Sequence, residues 1–247
     1  MANFIPLKNY MFFCLDRVIA DYNLSAPFLD LGCGVGDLSK YLAEKGWQGT
    51  ALDSSGVAIE RTQKTLAGFP NVKVYKKPLF EESGFYRTIL LWDVLEHISD
   101  DESVLRKISS LLLPGGYVLI AVPSNPKEWR WDDDFYGHFR RYTEEDLRKK
   151  IINAGLSPVS CFDFTFPIFW IMRRMYTKWK KPSIGKEDKN EKTGKSSTVN
   201  AWDIPFVSGF FNRPNFFWNL IYRIQFKFFK NMIKNGHEMF VLARKNA

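Results

Sequence analysis

Residues 28–42 read FLDLGCGVGDLSKYL, and they reveal more about the fold than any other part of the chain. A short apolar strand leads into a loop with glycine at positions 32, 34 and 36, and a helix starts near Asp37. Glycine lets a backbone turn sharply and lets a ligand come close. The GxGxG spacing differs from the GxGxxG of dinucleotide enzymes, and no GK[ST] follows as in a Walker loop.

Strand-like and helix-like segments alternate around this loop. Strands are predicted at Pro27–Leu31, Thr50–Leu52, Val72–Tyr75, Thr88–Trp92, Tyr117–Val122, Ser157–Phe164 and Glu238–Ala243. Helical segments separate the first five, near Leu38–Lys45, Gly56–Ala67 and Asp101–Leu113. Such alternation is typical of a parallel sheet covered on both faces. The sequence therefore predicts an α/β fold with a seven-stranded, mostly parallel sheet.

The connection between the last two predicted strands is far longer than usual. We therefore divide the chain into a Rossmann-like domain, residues 1–163 and 237–247, and a helical insertion, residues 164–236. Within the insertion, Lys180–Ser197 is rich in Lys, Ser and Gly and is predicted to be mobile.

The second predicted strand is followed by Asp53, a residue placed to accept hydrogen bonds from ribose hydroxyls. Glycine loop and acid together predict an adenosine-containing ligand. Four ordered motifs then resemble those of class I S-adenosylmethionine-dependent methyltransferases, of the type that acts on small molecules and lipids. They are LDLGCGVG at 29–36, TALDSS at 50–55, DVLEHISDD at 93–101 and LLLPGGYVLIAVPS at 111–124.

This resemblance implies a Rossmann-like fold, S-adenosylmethionine as cofactor and S-adenosylhomocysteine as product. The amides around Gly32–Gly34 would face the methionine part, Asp53 would hold the ribose, and Asp93–Val94 would border the sulfonium. The implied cofactor-binding residues are Asp30, Gly32, Cys33, Gly34, Gly36, Asp53, Ser54, Asp93 and Val94.

The acceptor is expected at the loop after the fifth strand, Ser124–Thr143, because ligands of such sheets bind beyond the carboxyl ends of the strands. His138 is the candidate general base for a hydroxyl acceptor, and the alternative is that it only orients the loop. Arg140 and Arg141 either clamp an anionic group or pair with Asp132–Asp134. The aspartate run is predicted to be a solvated face, a metal site on it is the weaker alternative, and no metal is expected.

The insertion carries an aromatic and basic segment at residues 215–234, NFFWNLIYRIQFKFFKNMIK. Five residues fall on one helical stripe: Asn219, Arg223, Lys227, Lys230 and Lys234. No acid occurs from residue 206 to 236. This pattern favours peripheral contact with an anionic membrane and a lipid-like acceptor. The alternative is that the segment packs on the sheet as core or forms a dimer interface.

Overall composition limits the function classes. The net charge of +8 allows an anionic membrane or nucleic acid as a partner. Three widely spaced cysteines and no secretory signal predict a cytoplasmic protein, and contact of the insertion with a membrane would place it at the inner face. The predicted function is methyl transfer to a hydrophobic or lipid-linked small molecule. The alternatives are an RNA methyltransferase, disfavoured because DVLEH replaces a [DN]PP[YF] run, and a non-catalytic membrane-binding protein on the same fold.

Overall fold

A computed structural model of the chain describes residues 5–180 and 216–246. Its strands are β1 (Phe28–Leu31), β2 (Gly49–Asp53), β3 (Val72–Lys76), β4 (Tyr86–Trp92), β5 (Leu112–Pro123), β6 (Leu156–Asp163) and β7 (Glu238–Lys245). They form one sheet in the order β3-β2-β1-β4-β5-β7-β6, in which only β7 runs antiparallel to its neighbours. The predicted seven-stranded, mostly parallel sheet is confirmed.

The helices pack around this sheet. They are α1 (Pro6–Tyr22), α2 (Asp37–Glu44), α3 (Gly56–Thr65), α4 (Asp101–Leu111), α5 (Trp131–Tyr136), α6 (Glu144–Asn153), α7 (Ile168–Trp179) and α8 (Phe216–Phe229). Short 3₁₀ turns lie at Leu79–Glu81, Leu95–His97 and Pro126–Glu128.

Both faces of the sheet are buried because successive side chains of a strand point to opposite sides. Phe28 and Leu90 belong to the core cluster that includes α1, α2, α3, α7 and α8. Their strand neighbours Leu29 and Ile89 belong to the second cluster, which includes α4 and α6. The central strands are therefore continuous apolar runs, as expected for a parallel sheet covered on two sides.

Capping residues fix where the helices begin. The Thr143 hydroxyl accepts a hydrogen bond from Asp146 N at 3.1 Å, as its position before α6 predicts. Asp100 caps α4 in the same way, with Ser103 N 3.0 Å from its carboxylate. Each cap satisfies an amide that the first turn of a helix leaves unpaired.

Two parts of the chain differ from the sequence-based expectation. The stretch predicted as a loop after the fifth strand contains helix α5 and a 3₁₀ turn. Strand β5 begins at Leu112, directly after α4, whereas the predicted helix extended to Leu113 and the predicted strand began at Tyr117. Most of the stretch predicted to be mobile, Lys180–Ser197, lies outside the described residues.

The described parts of the predicted insertion, α7 and α8, lie between β6 and β7 and pack against α1. The Tyr10 ring of α1 lies 5.5 Å from the Phe169 ring of α7 and 5.1 Å from the Tyr222 ring of α8. The Tyr222 hydroxyl also donates to Pro6 O at 2.8 Å. Among residues 5–180 and 216–246, no helix has the length and apolar character needed to cross a membrane. The division into two domains stays a prediction.

Candidate functional site

The glycine loop joins β1 to α2 in a conformation that needs glycine. Gly32, Gly34 and Gly36 have φ angles of +70°, +55° and +82°, in the left-handed region that side chains disfavour. A Cβ added to Gly32 would lie 2.5 Å from Val94 Cγ2, so the loop packs directly on the turn after β4. A Cβ at Gly34 would meet nothing within 4 Å. The loop is therefore tightly packed at Gly32 and open at Gly34.

Asp53 fastens this loop to the end of β2. Its carboxylate accepts hydrogen bonds from Gly34 N at 3.1 Å and from Ser55 N at 2.8 Å. The neighbouring Ser54 is exposed, and Cys33 is buried with Sγ 3.6 Å from Thr62 Oγ1. The structure thus brings the predicted loop and the predicted ribose-binding acid together.

Asp30 faces inward, beneath the loop. It is buried and accepts a hydrogen bond from Ser39 Oγ of α2 at 2.6 Å. Burial raises its pKa to about 7 despite that bond. The observed contact ties β1 to α2, and a direct role of Asp30 in holding a cofactor stays a prediction.

Asp93 and Val94 form the turn that leaves β4. Asp93 has a φ of +54°, and its amide donates to Ala121 O at 3.1 Å. Asp93 is exposed to solvent, and the surrounding protein still partly desolvates its carboxyl group. This desolvation, with a contribution from the charge of Glu96, raises the pKa of Asp93 well above its usual value. Asp93 therefore carries its proton more readily than an ordinary surface aspartate.

Glu96, His97 and His138 form a compact group beside this turn, and one ligand atom from each lies within 4.8 Å of the others. Glu96 is fully buried, neither of its oxygens has a hydrogen-bond partner in the described structure, and burial raises its pKa to about 8. Burial, with the nearby His138, lowers the pKa of His97 to about 3. Glu96 and His97 are therefore both largely uncharged at neutral pH. The three ligand atoms are close enough together to hold a metal ion. The expectation that no metal binds stays a prediction.

The aspartates of α5 correct one sequence-based expectation. Asp132 and Asp133 are buried, and only Asp134 is exposed, so the run is not a solvated face. Arg141 donates to Asp133 Oδ1 at 2.8 Å, whereas Arg140 pairs with Asp101 at 2.8 Å. The predicted pairing of arginine with the aspartate run therefore holds for one arginine of the two.

His138 is held by the same carboxylate. Its Nδ1 lies 2.9 Å from Asp133 Oδ1, and its Nε2 lies 4.0 Å from Glu96 Oε1. Burial alone would raise the pKa of Asp133, but the His138 hydrogen bond and two guanidinium groups hold it well below its usual range. An ionised carboxylate can only accept a hydrogen bond, so His138 donates from Nδ1. In the neutral ring the lone pair is then on Nε2, which faces the Glu96 group.

Two further residues at this edge were missed by sequence reasoning. His237 is fully buried with neither ring nitrogen hydrogen-bonded in the described structure, and Glu238 Oε2 is likewise unpaired. Glu238 starts β7 opposite Pro123 at the end of β5. Because β7 is antiparallel, its first residues meet the last residues of β5, and a chain-order pattern does not show this. The nearest signal was the polar pair that precedes the final apolar run.

Comparison with known proteins decides the family. Residues 10–160 match the family described as "Methyltransferase domain". This chain belongs to that family. The prediction of a Rossmann-like, S-adenosylmethionine-dependent methyltransferase family and of its cofactor is thereby confirmed.

This methyltransferase is similar to a curated relative and to several solved structures. It is 35% identical over 118 residues to the ubiquinone biosynthesis O-methyltransferase of Caulobacter sp. (strain K31), covering 43% of this chain and 46% of the relative. The chain thus aligns with less than half of that relative's length. A putative sarcosine dimethylglycine methyltransferase from Galdieria sulphuraria has a TM-score of 0.61 at 17% identity, covering 97% of this chain and 86% of that one.

A shared fold does not fix the reaction. The [4+2]-cyclase SpnF has a TM-score of 0.59 at 16% identity, covering 95% of this chain and 80% of that one. A cyclase and methyltransferases therefore have similar architectures, and the function has to be argued from the site.

The residues present fit S-adenosylmethionine. Gly34 leaves open space, its amide is oriented by Asp53, and Asp53 keeps a carboxylate at the end of β2. The amides near Gly32–Gly34, which were expected to face the methionine part, already have partners within the protein: those of Gly32 and Cys33 donate to Leu52 O, and that of Gly34 donates to Asp53. The individual roles stay predictions.

Proposed function

We propose that the methyltransferase transfers a methyl group from S-adenosylmethionine to a hydroxyl of a hydrophobic, lipid-like acceptor, with His138 as general base. The supporting observation is the 2.9 Å contact between His138 Nδ1 and Asp133, at the edge of the sheet where the glycine loop lies. The related ubiquinone biosynthesis O-methyltransferase points to oxygen as the methylated atom and to a lipid-like acceptor.

For this reaction the protein has two main tasks, which are to align the acceptor with the methyl group and to remove one proton. When bound, S-adenosylmethionine supplies an activated methyl group on a sulfonium. The protein has to hold the acceptor in line with that group, exclude water, and take the hydroxyl proton. His138 Nε2 carries the lone pair for this proton, because Nδ1 is committed to Asp133. Ionised Asp133 then stabilises the imidazolium that forms.

A substitution at His138 tests the proposed base. In His138→Gln we expect methyl transfer to fall by about 10²–10⁴-fold, the usual contribution of a general base, with S-adenosylmethionine affinity unchanged. Transfer is measured as labelled methyl recovered from a cell lipid extract, and affinity by calorimetry. The control His97→Gln removes the neighbouring ring, whose centroid lies 4.7 Å away, and we expect it to retain far more activity. Full activity in His138→Gln would refute the assignment.

We further propose that the outer faces of α7 and α8 contact an anionic membrane, at the inner face of a cytoplasmic membrane. Helix α8 buries Trp218, Tyr222 and Gln225 against the rest of the protein, so one face is core, as the alternative interpretation expected. Its other face exposes five apolar side chains: Phe216, Phe217, Leu220, Ile224 and Phe228.

The charged residues of α7 and α8 indicate which kind of partner this outer face contacts. Arg223 and Lys227 are exposed among its apolar side chains, and neither α7 nor α8 contains an acidic residue. On α7, Ile171 and Trp179 are also exposed. An apolar face with basic residues suits the boundary between headgroups and acyl chains of an anionic bilayer. Such a site would also give a lipid-like acceptor a short path to the enzyme.

Vesicle sedimentation tests the membrane contact. We expect binding to vesicles with one-third anionic lipid and little binding to zwitterionic ones, because each basic residue near an anionic surface contributes about 1 kcal/mol. The double variant Arg223→Gln, Lys227→Gln should lose roughly tenfold or more in affinity. The control Lys64→Gln, Lys73→Gln removes the same charge from exposed sites on α3 and β3 and should bind normally. Equal loss in both variants would refute a specific surface.

A further inference from the structure

Helix α7 places one buried cationic side chain, that of Arg173, against the loop after β5. Arg173 is 3% exposed, and its guanidinium forms a two-point ion pair with Asp132, at 2.8 Å from Nε and 2.7 Å from Nη2. Nη1 also donates to Glu128 O at 3.0 Å. A guanidinium is costly to bury unless such partners satisfy it. The planar two-point geometry is one that arginine provides and lysine does not.

The same guanidinium reaches the carboxylate that holds His138. Arg173 Nη2 donates to Asp133 Oδ2 at 3.0 Å, and Arg130 N donates to that oxygen at 2.8 Å. The other oxygen, Oδ1, receives His138 Nδ1 at 2.9 Å and Arg141 Nε at 2.8 Å. Both oxygens are therefore fixed, and so is the orientation of the carboxylate toward the His138 ring.

We propose that Arg173 is a positioning residue, which fixes the His138 ring and its proton-bearing nitrogen by way of Asp133. The proposal rests on the proposed function, in which His138 is the base. It gives the predicted insertion a part in the reaction, since α7 lies outside the predicted Rossmann-like domain. The contact spans 40 residues of sequence and joins α7 directly to the acceptor loop.

The neighbouring residue provides a matched control. Arg174 has a side chain 42% exposed, pairs with Glu128, and lies over the Trp170 ring at 4.0 Å. It shares the helix and the charge of Arg173 and has no described contact with Asp133. A purely structural effect of anchoring α7 should appear in both variants, whereas an effect on His138 should appear only at Arg173.

The decisive measurement is the ¹⁵N spectrum of the histidine rings, which reports which nitrogen carries the proton. The chain has three histidines, and His138→Gln assigns the signals of His138. In the unsubstituted protein we expect the Nδ1–H form of His138 to dominate. In Arg173→Met and Arg173→Lys the ratio of the Nδ1–H form to the Nε2–H form should fall about tenfold or more. The reason is the loss of the charge-assisted, oriented hydrogen bond between Arg173 and Asp133. Arg174→Lys should match the wild type.

The Arg173→Lys variant keeps the experiment informative if Arg173→Met does not fold. The single ammonium group of lysine retains the charge but cannot bridge Asp132 and Asp133 with the same geometry. An unchanged ratio of the two forms in folded Arg173→Lys would overturn the proposal. So would an equal change in Arg174→Lys.

A double-variant comparison separates this proposal from the proposed function. Transfer of labelled methyl to a cell lipid extract should fall about tenfold or more in Arg173→Lys, and should fall no further when the same change is made in His138→Gln. Independent, multiplying losses would overturn the proposal. If His138→Gln retains full activity, the base assignment fails, while the ¹⁵N spectra still decide whether Arg173 positions the ring.

Discussion

An alanine at position 34 should leave the fold intact and weaken cofactor binding. Gly34 has a φ of +55° and open space where a Cβ would stand. The left-handed conformation costs a residue with a side chain roughly 1–2 kcal/mol. The reduced freedom of the unfolded chain returns about 0.4–1 kcal/mol of this. We therefore expect Gly34→Ala to lower the free energy of unfolding by about 1 kcal/mol.

Gly46, after α2, provides the matched control. It has a φ of +81°, its Cβ would also meet nothing within 4 Å, and it lies outside the cofactor loop. Gly46→Ala should therefore lose the same stability of about 1 kcal/mol in urea unfolding. Gly32→Ala should lose about 1–3 kcal/mol more, because its methyl group would overlap Val94.

Calorimetric titration with S-adenosylmethionine then separates the variants. The new methyl group at position 34 would project into the space we assign to the cofactor, so affinity should fall at least about tenfold, or roughly 1.4 kcal/mol. Gly46→Ala should bind like the wild type. Wild-type affinity in Gly34→Ala would refute the placement of the cofactor against this loop, as would an equal loss in Gly46→Ala.

Two further predictions concern buried polar groups. Burial raises the pKa of Asp163 to about 7, so between about pH 4 and 7 the folded state keeps a proton that the unfolded state releases, and stability falls as pH rises. In Asp163→Asn, the free energy of unfolding measured with urea should fall less between pH 5 and pH 8 than in the unsubstituted protein. An equal fall would contradict the assignment. The buried Tyr142 hydroxyl donates to Asp101 Oδ2 at 2.8 Å. Tyr142→Phe should cost about 1–2 kcal/mol in thermal or urea unfolding, whereas no loss would show that the bond contributes nothing net.

The sheet and the cofactor loop were predictable because their signals are local. Strand–helix alternation, a cap such as Thr143 and three glycines in five residues each act over a few positions. The position of the carboxylate at the end of β2 was predictable because parallel strands bring their carboxyl ends to one edge of the sheet.

The acceptor side was only partly predictable because its contacts are distant in sequence. Arg173 pairs with Asp132 across 41 residues, and no sequence pattern near either residue predicts this ion pair. The aspartate run therefore suggested a solvated face. Likewise, helix α8 of the insertion has one face in the core, with Trp218 buried, and one exposed face, with Phe228. Composition alone could not divide its apolar residues between the two faces.

The most direct test of the proposed function is to follow the methyl group. The purified protein is incubated with methyl-labelled S-adenosylmethionine and a cell extract, and the products are partitioned between organic and aqueous phases. We predict protein-dependent label in the organic phase, which would support a lipid-like acceptor. Label confined to the aqueous phase, or no protein-dependent transfer at all, would contradict it.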